Sequence, residues 1–256
     1  MTGCLVLWPQ LKERLLASLE DSKKSVREYV WARLEQASVV EPGVRGHIPD
    51  FAGAAGAADL LAGLGAWRAA RVVKVVPDRA QYPVRVRALR AGKLLYMAVP
   101  RLAEARPFFC LDPEKLDADP EAAADREIAA RIAPLVSIDA MRPVDLVVCG
   151  SVAVSRSGAR LGKGAGFSDV EMALLAEAGL LSDRTVIATT VHELQVLDGE
   201  LPEEEHDFRV DLIVTPERAI KCESARRPAG LDWKNVTAEQ LAAIPVLKQH
   251  LQSRRD

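Results

Sequence analysis

The sequence is short of several things, and each shortage closes off a class of function. No apolar run approaches the roughly 20 residues of a membrane-spanning helix. The opening Cys4-Leu5-Val6-Leu7-Trp8 is too brief for the core of a secretory leader and has no basic flank before it. The four cysteines, Cys4, Cys110, Cys149 and Cys222, stand far apart with no Cys-x-x-Cys pair, so no zinc site is expected. Cys110 and Cys149 end apolar runs and read as reduced core residues. Charge of one sign is missing too. The 34 Lys and Arg face 36 Asp and Glu, a formal −2, so no basic surface advertises nucleic acid. Aromatic residues make up 5 %, too few for a base-stacking platform. What remains is a cytoplasmic protein acting on small molecules, with neither a nucleic acid nor a membrane as partner; the oligomeric state is not legible.

What is present is material for a core. With 49 % hydrophobic residues, the 256 positions suit one large α/β domain or two small ones. Residues 1–20 give no firm pattern, although Leu11, Leu15, Leu16 and Leu19 could share a helix face. They are set apart as an N-terminal extension of uncertain order, and residues 21–256 read as a single domain. Val26, Tyr29, Val30 and Leu34 predict a helix over 21–37. Lys23 and Arg27 lie four apart on one side of it, the pattern of a solvated basic stripe. Leu60, Leu61, Leu64 and Trp67 predict a helix over 54–70. A strand over 72–76, a helix over 81–91 with Pro83 in its first turn, and a strand over 94–99 make a unit that favours parallel pairing. Residues 108–111 read as a short strand or buried turn, and 119–130 as one helix. Further strands are predicted over 144–149, 185–190 and 210–215, with a short one at 219–222. The acidic run 200–207 reads as a surface loop. A Thr237/Gln240 capping box opens a last helix, which Pro245 kinks or restarts. The alternation predicts an α/β fold with an open, mostly parallel sheet and helices on both faces.

The stretch that invites chemistry is Gly158-Ala159-Arg160-Leu161-Gly162-Lys163-Gly164-Ala165-Gly166-Phe167-Ser168-Asp169-Val170-Glu171. A strand precedes it and a helical pattern follows, ended by Gly179. Glycines leave backbone N–H groups free to point at an anion, and a helix start adds partial positive charge. Arg160 and Lys163 would add full charges. The spacing fits neither the Walker pattern nor the Rossmann fingerprint. On glycine content alone, a long surface turn and a phosphate cradle stand level. Ser168 and Glu171 can form a capping box, which would give Asp169 a structural place in the first turn; the rival is an oxygen ligand for Mg²⁺ beside a nucleotide phosphate.

With Asp145-Leu146-Val147-Val148 before it, this stretch resembles the signature of the 5-formyltetrahydrofolate cyclo-ligase family, also called methenyltetrahydrofolate synthetase. His206-Asp207 with Val210-Asp211-Leu212-Ile213-Val214-Thr215, and Lys23-x-x-x-Arg27, resemble other stretches of that family in the same order. Trp233 and Ile244-Pro245-Val246-Leu247 resemble the tail of its divergent branch, the methenyltetrahydrofolate synthetase domain-containing proteins. The resemblance covers residues 21–247. It implies a fold similar to ribose-phosphate isomerase and coenzyme A transferase proteins. It also implies a ligase that uses ATP and Mg²⁺ to turn 5-formyltetrahydrofolate into 5,10-methenyltetrahydrofolate through a phosphorylated formyl group. By the family's pattern, Lys23 and Arg27 hold ATP phosphates. Gly158, Arg160, Gly162, Lys163, Gly164, Gly166 and Phe167 form the nucleotide site. Asp169 holds Mg²⁺, and Arg160, Lys163 and Asp169 carry the catalysis. The sequence departs from the family at Gly150-Ser151, Val154-Ser155, Ser168 and Val170, where a tyrosine and a charged partner are lost. A nucleotide-binding relative with another substrate or a regulatory role is the alternative.

Other candidates have plainer readings. His192-Glu193 and His206-Asp207 could serve as acid–base groups, but adjacent residues rarely face each other. Ser151 and Ser155 lack the elbow a nucleophile needs and suit loop hydrogen bonding. Asp211 caps or pairs locally. Folate carboxylates would need a basic rim, for which Arg85, Arg87 and Arg90 are available.

Overall fold

The computed structural model describes residues 7–223, 226–228, 230–234 and 236–253. The first helix, α1 (Leu7–Gln36), is followed by α2 (Ala54–Ala62), α3 (Gly65–Ala69), β1 (Val72–Val75), α4 (Tyr82–Arg90) and β2 (Leu94–Ala98). Next come β3 (Phe108–Leu111), α5 (Pro120–Ala124), α6 (Arg126–Ile132), β4 (Leu135–Val136), β5 (Leu146–Cys149), β6 (Ala153–Ser155) and β7 (Arg160–Leu161). The chain closes with α7 (Phe167–Glu177), β8 (Val186–Thr190), β9 (Val196–Leu197), β10 (Leu212–Val214), β11 (Ala219–Lys221), α8 (Ala238–Ala243) and α9 (Pro245–Ser253).

Eight strands form one sheet in the order β11-β10-β8-β5-β1-β2-β3-β4. The five from β10 to β2 run parallel, as the strand–helix–strand reading requires. Antiparallel β11 closes one edge, and β3 with β4 the other. Alternation along the fully buried β1 explains the two-sided core. Val73 and Val75 face a cluster with Leu61, Trp67, Val84 and Leu89, from α2, α3 and α4. Val72, on the other face, joins Val170, Leu174, Leu175 and Leu247, from α7 and α9. Helices thus cover both faces, as expected.

Four features differ from the sequence reading. The helix expected over 54–70 is two, α2 and α3, because the chain leaves helical geometry at Leu64, φ −84° and ψ 155°, just after Gly63. Helix α1 begins at Leu7, well before residue 21; residues 1–6 and the side chains before Leu19 lie outside the described residues. The single helix expected over 119–130 is two, because Asp125 leaves helical geometry at φ −70°, ψ 133° and its carboxylate accepts from the N–H groups of Glu127 and Ile128. The glycine loop does not leave β5 directly. Between them stands a β6–β7 hairpin, which forms a second sheet in the order β7-β6-β9. Helix α1 packs on that sheet through Val30, Trp31 and Leu34, against Val152, Ala153 and Leu161.

Candidate functional site

The parallel strands β1, β2 and β5 end on one rim of the main sheet, where an open α/β fold places its ligands. A cleft of about 690 Å³ lies there, bordered by Asp78 after β1, Arg101 after β2 and Gly150 after β5. Residues 160–169 supply its loop wall, and Lys23 and Arg27 line it from α1. Gly164 and Gly166 sit in left-handed conformations, at φ 98° and φ 67°, and Gly166 is the residue from which α7 starts. Among the described residues, no protein acceptor faces the N–H groups of Lys163, Gly164 and Ala165. None faces those of Phe167, Ser168 and Asp169 in the first helical turn. Donors bare along such a stretch, next to a helix start, are of the kind that can receive an anion.

The cations around the cradle are anchored. Arg27, 8 % exposed, donates from Nε to the carbonyl of Gly162 at 2.9 Å and from Nη1 to Glu20 at 2.9 Å. Lys23 Nζ lies between Glu204 Oε2 at 2.6 Å and Asp207 Oδ2 at 2.8 Å. Burial pulls its ammonium pKa down, but Asp207 and Glu204 outweigh that and leave it raised. The solvated stripe expected on this helix face is therefore a buried pair, because the acidic run 200–207 folds over α1 rather than into solvent. Arg160 stacks 4.2 Å above the Phe208 ring and donates to Gly150 O at 3.3 Å and Asp169 Oδ1 at 3.1 Å. Its pKa is raised: burial opposes the charge, and Asp169 more than restores it. Lys163 is the most open of the four cations, with Nζ 3.7 Å from Asp78 Oδ1. Phe167 and Asp169 are half-buried on the cleft wall.

Not every expected residue joins the site. Gly158 lies in the β6–β7 turn, outside the cleft lining. At φ 95° it tolerates no side chain, because a Cβ would stand 2.4 Å from Val210 O. The Ser168/Glu171 capping box does not form. Glu171 turns inward to Lys74 of β1, Nζ to Oε1 2.6 Å, because an ammonium with no exposed surface needs an anion more than a helix needs a cap. Arg85 is buried against the carbonyls of Val76, Asp78 and Ala124, and burial lowers its pKa to about 10. Arg87 pairs with Asp59 and Arg90 with Glu121, so none of the three forms a rim of the cleft.

His192 caps a short turn by accepting from Leu194 N–H and packs edge-on to Phe51. Ser151 bonds Thr189, Ser155 bonds Ser157, and Asp211 accepts from Ile187 N–H and Arg227. The plainer readings hold for His192, Ser151 and Ser155, whereas Asp211 does not pair locally: its partners lie 24 and 16 residues away and tie β10 to β8. His206 does reach the cleft. With Glu204 and Asp207 it brings three ligand atoms within 4.8 Å of one another. Lys74, Asp78, Glu171 and Glu204 were missed. Lys74 alone carried a signal, as the one charge inside an apolar strand.

The model of the 5-formyltetrahydrofolate cyclo-ligase family matches residues 19–216. A methenyltetrahydrofolate synthase domain-containing protein of Mus musculus is 39 % identical over 240 residues, which are 89 % of this chain and 62 % of that protein. The protein of the same description from Homo sapiens is 34 % identical over 235 residues, 89 % of this chain and 61 % of that one. The chain thus spans about three fifths of the length of these curated relatives. A 5-formyltetrahydrofolate cyclo-ligase of Mycolicibacterium smegmatis is 37 % identical over 87 residues, 34 % of this chain and 41 % of the other. Among solved structures, the NMR structure of Aquifex aeolicus 5,10-methenyltetrahydrofolate synthetase aligns with a TM-score of 0.51. It is 19 % identical and covers 82 % of this chain and 98 % of its own, a likeness of fold.

Proposed function

Because the chain belongs to the 5-formyltetrahydrofolate cyclo-ligase family, we propose that its cleft binds ATP with Mg²⁺ and converts 5-formyltetrahydrofolate to 5,10-methenyltetrahydrofolate. The observation that carries this reading is the run of bare N–H groups from Lys163 to Asp169, set between Arg27 and Arg160 in the cleft. The residues fit a triphosphate in two further respects. Ser168 Oγ and Arg160 Nε are buried without a hydrogen-bond partner. A Cβ on Gly164 would lie 3.3 Å from the Arg27 guanidinium, so only glycine leaves that main chain bare.

The geometry supports the following division of labour. The loop amides and the start of α7 take the phosphate oxygens. Lys163, the exposed cation on the cleft wall, meets the terminal phosphate. Arg160, locked by Phe208, Gly150 and Asp169, holds the charge that builds up as the phosphoryl group moves. Arg27 shapes the loop through Gly162, and Lys23 braces the acidic segment behind it. Asp169 is the carboxylate placed to hold Mg²⁺, which when bound spreads the triphosphate charge. The formyl oxygen attacks the terminal phosphorus and ADP leaves. N10 then attacks the formyl carbon and gives up its proton, and the C–O bond breaks so that phosphate leaves with the oxygen. The protein's task is placement and charge, which a fixed cradle supplies.

The test is to mix the chain with ATP, Mg²⁺ and 5-formyltetrahydrofolate and follow methenyl product absorbance, with calorimetry of ATP–Mg²⁺ on wild type and Lys163→Ala. Product formation and a weaker Lys163→Ala complex are expected. Absorbance that stays flat beside a working control, with ATP heat retained, moves the assignment to the second reading. That reading is a nucleotide-binding relative with another substrate. It is favoured by Val170, which turns into the core at 7 % exposure and offers the cleft no charge. No heat in wild type removes both.

A further inference from the structure

The family model ends at residue 216, yet the described chain runs on to residue 253 and returns to the cleft. This C-terminal segment meets α7 at both ends. At the far end, Glu177 Oε1 accepts from Leu231 N–H at 3.0 Å, and Glu177 Oε2 lies 3.6 Å from His250 Nε2. Gly230 passes so close that a Cβ there would stand 3.0 Å from Glu177 Cγ. Ile244 and Leu247, with no exposed surface, share one core cluster with Val170, Leu174 and Leu175 of α7. At the near end, α8 opens with its capping box. Thr237 Oγ1 accepts from Gln240 N–H and Gln240 Oε1 from Thr237 N–H, each at 3.0 Å. The box fixes the Gln240 carboxamide, and its Nε2 stands 2.7 Å from the point where a Cβ on Gly166 would lie. Glu239 and Ala243, from the same helix, border the cleft.

We propose that this segment is a clasp that sets the glycine loop, so that the affinity of the cleft for an anion depends on the seating of α8. The inference rests on the anion site proposed above and names what regulates it, with Gln240 and Glu177 as positioning residues. Gly166 is where the loop becomes α7, and at φ 67° a glycine leaves its conformation more readily than any other residue. The bare N–H groups on either side keep their directions only while Gly166 stays in place. Gln240 fills the space beside it and holds it there. At six residues α8 is too short to persist alone. Its seat depends on its cap and on the grip of Glu177 at the other end of α7. An anion that binds the seated form more tightly must in turn hold α8 down by the same factor.

The test combines calorimetry with amide hydrogen exchange, and neither depends on turnover. Wild type, Glu177→Ala, Glu177→Gln and Gln240→Ala are titrated with ATP–Mg²⁺ and with tripolyphosphate, well below their melting midpoints. Neither Glu177 nor Gln240 is part of the cleft lining, so lost contact with the ligand does not explain an effect. Expected is a loss of about fivefold or more for both ligands in Glu177→Ala and Gln240→Ala. Glu177→Gln keeps an acceptor for Leu231 N–H and should bind like wild type. In wild type, either ligand should slow exchange across residues 236–247 and leave α5, outside the cleft lining, unchanged. Wild-type affinity in both alanine variants, a loss that Glu177→Gln fails to restore, or exchange at 236–247 that ignores a bound ligand overturns the clasp. A wild type that binds neither ligand removes the clasp and the function together. A wild type that binds tripolyphosphate but no ATP–Mg²⁺, with exchange slowed, keeps the clasp and refutes the function proposed above.

Discussion

The buried pair under the glycine loop gives the sharpest quantitative test of the fold around the site. Lys74 has no exposed surface, and Glu171 is 5 % exposed. Their charged atoms are 2.6 Å apart but make no aligned hydrogen bond. Burial raises the Glu171 carboxyl above the ordinary carboxylate range, and Lys74 offsets only part of that. The charged pair therefore sits at a net desolvation cost. Removing one partner strands the other charge in the core, a loss of about 3–5 kcal/mol. Replacing both with apolar residues of similar volume is neutral or stabilising by about 1–4 kcal/mol. For a chain of this size each kcal/mol moves the melting midpoint by about 2–4 °C. Glu171→Leu and Lys74→Met should therefore each melt lower by roughly 10 °C, while the double variant melts at or above wild type. Thermal unfolding followed by circular dichroism, closed as a double-mutant cycle, reads the coupling directly. A double variant that loses the sum of the two singles would refute the reasoning. The ion pair would then not be what joins α7 to β1.

Two glycines in one stretch should separate cleanly. Gly164→Ala puts a side chain at φ 98° and 3.3 Å from Arg27, and should weaken ATP–Mg²⁺ about tenfold in calorimetry; an unchanged affinity would count against the cradle. Gly158→Ala drives a Cβ to 2.4 Å from Val210 O, so it should lower the melting midpoint without altering the affinity of the folded protein; the reverse pattern would place Gly158 in the site after all. Burial lowers the His192 pKa below 6.5, against the pull of Glu217 and Glu193. Its neutral form stabilises the fold above that ordinary value, and this contribution is lost as the pH falls through the lowered one. Urea midpoints should therefore drop more steeply between about pH 7 and pH 5 in wild type than in His192→Asn, and parallel curves would reject the role.

Seven of the eight strands of the main sheet were legible because they are short apolar runs bounded by residues such as Pro77, Gly92 and Gly150, and because Pro83 and Gly92 frame α4; the two-residue edge strand β4 was not. The second sheet was not. Strands of two or three residues, such as Arg160–Leu161 and Val196–Leu197, are too short to show any period. Lys23 misled for a different reason. Its partner Glu204 is 181 residues away, and a helix face reads as solvated until the segment that covers it is known. The capping box failed by competition. Ser168 and Glu171 have the right spacing, but Lys74 claims Glu171 from across the core, a demand that local sequence does not display. The family resemblance had gathered Lys23, Arg27 and the glycine loop before the fold placed them around one cleft.

What holds the cradle open is therefore not the main sheet alone. The loop hangs between two anchors: Arg160, fixed by Phe208 and Gly150, and Arg27, fixed by the carbonyl of Gly162. One anchor belongs to the small sheet and the other to α1, which packs on that sheet. Because the anchoring cations already have partners, the proposed recognition of an anion falls on the N–H groups and the helix start, with Lys163 as the open charge. Such dipoles are set in place before any ligand arrives and need no reorganisation to act. That arrangement reconciles a near-neutral chain with the phosphate site proposed for it. In that proposal the positive charge an anion meets is local, made by the direction of the main chain rather than by a surplus of basic residues.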